Sequence, residues 1–478
     1  MFKALAGAAV AALLLQSQVM AQVMAQDAPY GSLRPDQAAF LDLYKTLIET
    51  NTEHSDGDCT ALATKVADRL KSAGFPDSDV AVFSTPDHPK EGGVTAILHG
   101  TSSAAKPILL LGHIDVVEAK RADWTRDPFT LIDENGYFYG RGTSDMKAMD
   151  ATWVDALMRF KKEGFKPRRS IKLALTCGEE SNNAFDGAEW LSKNRPDLVS
   201  AAFALNEGGG GRTDGHGKLV VESVQVGEKV FQDYRIETTN PGGHSSIPIR
   251  DNAIYELSAA LLKVRDHEFP LKMSDTTRAY FAKAGAARGD ELGKAMMALA
   301  ANPGDAAAEA VVNKDRGYHS MLRTTCVATL LDGGHADNAL PQRAGANVNC
   351  RIFPGEAIED VRAALVAAID DPKVTITASQ PVRPLGVPQT LDPKVIGPAE
   401  KLVAKYFPGV PLIPTMSTGA TDGIFLEAIG IPVYGAPGGW GDPDGNGVHG
   451  LNERRSERSL FIGRDFLTEL VKAYAMQD

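Results

Sequence analysis

The side chains best suited to chemistry sit in short, separated stretches, most of them directly after an apolar run. His113 and Asp115 lie in Leu-Leu-Gly-His113-Ile-Asp115-Val-Val, after the apolar residues 108–111. Two residues apart on an extended chain, they point the same way. Asp145 follows a second short strand in Tyr139-Gly-Arg-Gly-Thr-Ser-Asp145-Met-Lys147. Glu179 and Glu180 follow residues 171–176, and Glu207 follows residues 201–205. His449 sits in the glycine-rich loop Asn446-Gly-Val-His449-Gly-Leu-Asn-Glu453. Adjacent carboxylates at a strand end point different ways, so one can bind metal while the other faces a substrate. Two close carboxylates also push one pKa up, which suits a general base. Imidazole and carboxylate are the donors of a zinc site, and this set suffices for two zinc ions sharing one carboxylate. Taken singly, each residue has a plainer reading: a satisfied core histidine, a solvated acidic pair, a loop capping group.

The elements that must position these residues alternate. Helices are expected at 59–73, 149–163 and 187–194, and strands at 80–83, 94–99, 108–111, 137–141, 171–176 and 201–205. The 149–163 helix carries Trp153, Leu157 and Phe160 on one face. Strands alternating with helices predict an α/β fold with a mostly parallel sheet and helices on both faces. In such sheets function collects at the carboxyl ends of strands. After the glycines at 208–211 the texture changes. Strands at 229–239, 323–331, 344–353 and 374–378, with helices at 253–264, 270–320 and 357–369, predict an inserted α+β domain. A proline-bearing linker at 380–388 closes it, and the helix–strand rhythm then resumes to a final helix at 456–476. The expected division is 1–25 signal peptide, 26–226 catalytic, 227–383 inserted, and 384–478 catalytic.

The chain has 478 residues, 43% hydrophobic and 23% charged, as in soluble globular proteins. Its net charge of −11 argues against general nucleic-acid binding. Lys3, an apolar run at 4–15 and two small-x-Ala patterns ending at Ala21 and Ala25 read as a secretory signal peptide. No other stretch is long and apolar enough to span a bilayer. The mature chain is therefore expected to be secreted or periplasmic, without a membrane partner. Cys59 and Cys177 are far apart in sequence, whereas Cys326 and Cys350 flank two predicted strands, where an oxidising compartment permits a bridge.

With these residues in view, the chain resembles the co-catalytic dizinc metallopeptidases related to carboxypeptidase G, aminoacylase, succinyl-diaminopimelate desuccinylase and yeast carboxypeptidase S. The motifs fall in the family's order from about residue 30 onward. The resemblance implies that His113, Asp145 and Glu207 bind one zinc, and that Glu180, Asp145 and His449 bind the other. It makes Asp115 the residue that orients His113, and Glu179 the base that moves a proton from water to the leaving nitrogen. It implies a cis peptide after Asp145, although Met146 stands where the family more usually has a second Asp.

The inserted domain resembles the family's lid, through which a homodimer would form. Within it, Asn240-Pro-Gly-Gly-His244-Ser-Ser resembles the stretch whose histidine polarises the scissile carbonyl. Asn338 and Arg351 resemble residues that hold substrate polar groups, Arg351 as a carboxylate fork. Gly419 lies in a loop resembling one whose N–H groups meet the same carboxylate. The expected function is a secreted dizinc peptidase of carboxypeptidase or dipeptidase type, cleaving an amide beside a free carboxylate. Manganese or cobalt would also suit the donors. An N-acyl amino acid deacylase shares all this machinery. A non-catalytic binding protein on the same scaffold would have no use for Glu179.

Overall fold

The computed structural model describes residues 30–181, 185–214 and 216–477. The expected signal peptide at 1–25 lies outside the described residues. Two compact units emerge: Met1–Val224 with Asp392–Ile413 and Ile431–Asp478, and Gln225–Leu391 with Pro414–Gly430.

The first unit is α/β. Ile171–Thr176, Ile108–His113, Phe203–Asn206 and Val433–Gly435 form a parallel array in that spatial order. Ile108–His113 and Ile171–Thr176 are buried along their whole length, which explains their unbroken apolar runs. His88–Leu98 and Val80–Thr85 extend one side antiparallel. Lys147–Lys162 packs Trp153, Leu157 and Phe160 inward, and the Trp153 indole N–H donates to the Leu111 carbonyl at 3.0 Å. This helix begins two residues before its apolar periodicity does. Lys147 is fully buried, and its ammonium donates to the Leu47 and Thr50 carbonyls at 3.0 Å each. The closing helix, Glu457–Ala475, buries Phe461, Phe466, Leu470 and Tyr474.

The second unit holds an antiparallel sheet in the order Thr325–Gly333, Arg343–Ile352, Val230–Thr239, Val374–Ala378. Ala253–Asp266 and Ile358–Ile369 contribute Leu257, Ala260, Val361 and Leu365 to a core shared with Tyr234, Ile236 and Val348. The alanine-rich stretch forms four helices from Asp275–Arg288 to Arg316–Met321 around Phe281, Met296, Leu299 and Leu322.

The two units divide the chain differently from the expected boundaries: 225–226, 384–391 and 414–430 fall with the second unit. Glu228 shows why, since its carboxylate accepts from the Thr421 N–H at 3.1 Å and from the Thr421 hydroxyl. Two disulfides are present and no cysteine is free. Cys326–Cys350 joins directly facing strand positions, and Cys59–Cys177 ties a helix start to the end of Ile171–Thr176. No helix among the described residues is long and apolar enough to cross a membrane.

Candidate metal centre

Six chemistry-bearing residues meet at one end of the parallel strands in the first unit, and His449 joins them. His113 ends its strand, and Asp115 follows two residues later. Glu179 and Glu180 lie just beyond Ile171–Thr176, and Glu207 directly follows Phe203–Asn206. Asp145 occupies the loop before Lys147–Lys162, and its peptide bond to Met146 is cis.

The distances define a bridged arrangement. Asp145 directs Oδ1 to His113 Nε2 at 3.2 Å and Oδ2 to His449 Nε2 at 3.0 Å. His113 Nε2 also faces Glu207 Oε1 at 3.6 Å, while His449 Nε2 faces Glu180 Oε1 at 3.0 Å. One carboxylate thus serves two histidines, and each histidine has a further carboxylate of its own. Donor atoms of His113, Asp145 and Glu180 lie within 4.8 Å of one another, as do those of His113, Glu179 and Glu207. Asp115 supports both sides. His113 Nδ1 lies 3.2 Å from the Asp115 carbonyl, and the Glu180 N–H donates to Asp115 Oδ2 at 3.0 Å. His113 Nε2 and Asp145 Oδ1 face each other without hydrogen-bond geometry, and the buried Asp115 Oδ1 has no hydrogen-bond partner among the described residues. Buried polar atoms are normally satisfied, so donors left converging in this way fit divalent cations.

The electrostatics agree with that fit. Burial opposes charge on His113, but the Glu207 and Asp145 carboxylates outweigh it and hold its pKa well above the usual imidazole value. Hydrogen bonds to Asp145 and Glu180 push His449 up to about 10. Burial acts to raise Asp145, yet His113 and His449 hold it below the usual carboxylate range. Burial raises Glu179 well above that range; His113 opposes this, and Glu207 and Glu180 add to it. Beside Asp145 and Glu207 lies a cavity of about 340 Å³, walled in part by Met149, Trp440, Val448, Leu460 and Leu467.

The remaining candidate residues belong to the second unit. His244 and Asn338 are brought together: Gly243–His244 pairs with Ala339–Leu340, and the Ser245 N–H donates to the Asn338 carbonyl at 3.0 Å. His244 is exposed, and its Nδ1 accepts from the Ser246 N–H at 3.1 Å. Arg351 is half-buried on Arg343–Ile352, with its guanidinium 5.3 Å from the Phe231 ring centre. The Gly419 N–H donates to Ser417 Oγ at 3.0 Å. Two features of the centre escape sequence reasoning. The Cys59–Cys177 link, immediately before Gly178-Glu179-Glu180, spans 118 residues and leaves no local signal. Glu453, fully buried, reads in sequence as an ordinary loop carboxylate.

A profile for peptidase family M20/M25/M40 matches residues 109–473. The chain belongs to that family. Among relatives, a probable carboxypeptidase S-like 2 of Dictyostelium discoideum is 29% identical over 385 residues, covering 78% of this chain and 72% of that protein. The human N-fatty-acyl-amino acid synthase/hydrolase PM20D1 is 28% identical over 389 residues, covering 78% and 75%. Among solved structures, the M20 family metallo-carboxypeptidase Sso-CP2 of Sulfolobus solfataricus shares the fold. Its TM-score is 0.67 at 17% identity, with 93% of this chain and 100% of that one covered. The M20 chain described here is therefore a metal-dependent hydrolase of the metallopeptidase and amidohydrolase kind, as the motif resemblance implied.

Proposed function

We propose that this protein is an exported dizinc hydrolase that cleaves an amide or peptide bond beside a free carboxylate. The observation that carries the reading is Asp145, which offers one oxygen toward each of two histidines. His113, Asp145 and Glu207 would hold one cation, and Glu180, Asp145 and His449 the other. When bound, such a pair supplies Lewis acidity to the carbonyl oxygen and acidifies water. Mixed imidazole and carboxylate donors suit zinc, with manganese and cobalt as accepted substitutes.

The protein's own groups do the rest. Glu179 is half-buried at the cluster without being needed as a ligand in this scheme, so it takes a proton from the attacking water and returns it to the leaving nitrogen. Asp115 fixes the His113 ring and the Glu180 backbone at once. His244, its Nδ1 engaged by Ser246, has Nε2 left for the developing oxyanion, an effect worth about 3 kcal/mol in comparable sites. Arg351, Asn338 and the Gly419 loop would receive the substrate carboxylate and its polar neighbours.

Export is supported by the signal-like residues 1–25 and by the two disulfides, which persist in oxidising compartments. A homodimer through the second unit is supported by Thr325–Gly333, an edge strand exposing Val327, Leu330 and Leu331. Sedimentation of wild type beside Leu330→Lys tests it, and equal masses for the two would refute it.

A second reading, hydrolysis of N-acyl amino acids, is favoured by the PM20D1 likeness and by the partly apolar cavity beside Asp145 and Glu207. The deciding experiment offers zinc-loaded protein a panel of dipeptides and N-acyl amino acids, with Glu179→Gln in parallel. Release of the C-terminal amino acid from dipeptides by wild type alone supports the peptidase. Preference for acyl substrates supports the second reading, and no hydrolysis with two metals bound refutes both.

A further inference from the structure

We infer that Glu453 is a positioning residue: its buried carboxylate clamps the loop that carries Asp145 to the loop that carries His449, and so fixes the two-histidine bridge. The inference rests on the metal-centre reading above. Both side chains of the Arg141–Glu453 ion pair are almost wholly buried. Glu453 Oε1 accepts from the Ser144 N–H at 2.7 Å and the Asp145 N–H at 3.0 Å. Its Oε2 accepts from the Gly142 N–H at 3.0 Å and Arg141 Nη1 at 2.8 Å. Four donors from five consecutive positions thus converge on one side chain, and the last is the backbone of Asp145 itself.

The second loop is held by the same pair. Arg141 Nη2 donates to the Gly450 carbonyl at 2.8 Å, next to His449. The Gly140 N–H donates to the Glu453 carbonyl at 3.0 Å, and the Ser144 hydroxyl to the Arg454 carbonyl at 2.8 Å. Arg141 precedes Asp145 by four residues, and Glu453 follows His449 by four. One ion pair therefore spans the loops whose side chains must meet at 3.0 Å.

The loops have reason to need this. His449 and Asn452 hold positive φ angles of 58° and 54°, a region non-glycine residues seldom adopt. Neither loop belongs to the parallel sheet that fixes His113 and Glu207. With four donors aimed at two oxygens, only a carboxylate satisfies each of them. An amide of the same size would set its own N–H₂ against at least one donor. A shorter acid would not reach both the Oε1 and the Oε2 donors.

The test is cobalt titration of metal-stripped wild type, Glu453→Gln and Glu453→Asp, followed by absorbance. Kinetics on the best substrate and urea unfolding of the metal-free forms run alongside. Wild type should bind two equivalents. Glu453→Gln should bind at least one of them about 10–100-fold more weakly, as when outer partners of metal ligands are lost. Its kcat should fall while KM stays near the wild-type value, since Glu453 faces no substrate group. If Glu453→Gln does not fold, Glu453→Asp keeps the charge opposite Arg141 and should show the same weakened equivalent. Either folded variant binding two equivalents with wild-type affinity and kcat, even if less stable, would overturn the inference. Failure of wild type itself to bind cobalt would remove the metal-centre reading, and this inference with it.

Discussion

Removing the metals should invert the pH dependence of stability, and His449 is the residue to test it on. Its Nε2 lies 3.0 Å from both Asp145 Oδ2 and Glu180 Oε1, which pushes its pKa from 6.5 up to about 10. A group whose pKa is higher folded than unfolded stabilises fully below its unfolded value. That stabilisation is lost as pH rises through the folded value. The window here runs from about pH 6.5 to about 10. Converted at face value, the rise would be worth roughly 5 kcal/mol. The side chain is 55% exposed, so solvent screening reduces this to about 1 kcal/mol. Metal binding requires the neutral ring, so the loaded protein should gain stability across the same window. Urea unfolding of wild type and His449→Asn, each with chelator and with zinc, at pH values from 6.5 to 9.5, would measure it. With chelator, wild type should exceed the variant by about 1 kcal/mol at pH 6.5, and the gap should close with rising pH. With zinc, the gap should widen instead. Parallel slopes with and without metal, or indistinguishable proteins under chelator, would refute the argument.

Glu179→Gln should retain both metals, by elemental analysis, yet lose about 10²–10⁴-fold in kcat; near-normal turnover would remove Glu179 from the mechanism. Arg351→Met should raise KM for substrates with a free carboxylate by at least about tenfold and leave their C-terminal amides unaffected; equal effects on both would deny Arg351 that role. The double variant Cys59→Ser, Cys177→Ser should cost about 2–4 kcal/mol in urea unfolding. Its specific activity should also fall, because Cys177 stands two residues before Glu179; a destabilised protein of unchanged kcat would make the bridge purely structural.

What the sequence makes legible follows from how each part is encoded. The parallel strands announce themselves because burial on both faces demands unbroken apolar runs, as in Ile108–His113 and Ile171–Thr176. The residues at their ends then stand out as polar interruptions, which is why His113, Glu179, Glu180 and Glu207 are candidates as a set although each alone has a plainer reading. Asp145 and His449 lie in irregular loops and are legible only through the motifs around them. Lys147 and Glu453 are not legible at all. Each is charged and fully buried, and only tertiary partners make such burial tolerable. The boundary at 414–430 is hidden for a similar reason: the Thr421–Glu228 contact joins residues 193 apart, and nothing in either neighbourhood foretells it. The Cys59–Cys177 link is equally non-local.

The same cluster that suggests chemistry also poses a folding problem, and the two have one answer. Asp115, Asp145, Glu179, Glu180 and Glu207 bring five carboxyl groups around two imidazoles in a site where His113 is only 2% exposed. Burying like charges at these separations is costly unless something positive stands between them. Protons can answer part of that demand: His113 and His449 are raised, and Glu179 and Glu180 are pushed toward their neutral forms. His113 Nε2 and Asp145 Oδ1 still face each other at 3.2 Å without hydrogen-bond geometry. Two divalent cations would satisfy the charge and those atoms together. Protonation can satisfy the charge alone, and for this reason metal loading should be coupled to proton release and to stability in one process rather than simply adding a cofactor to a finished fold.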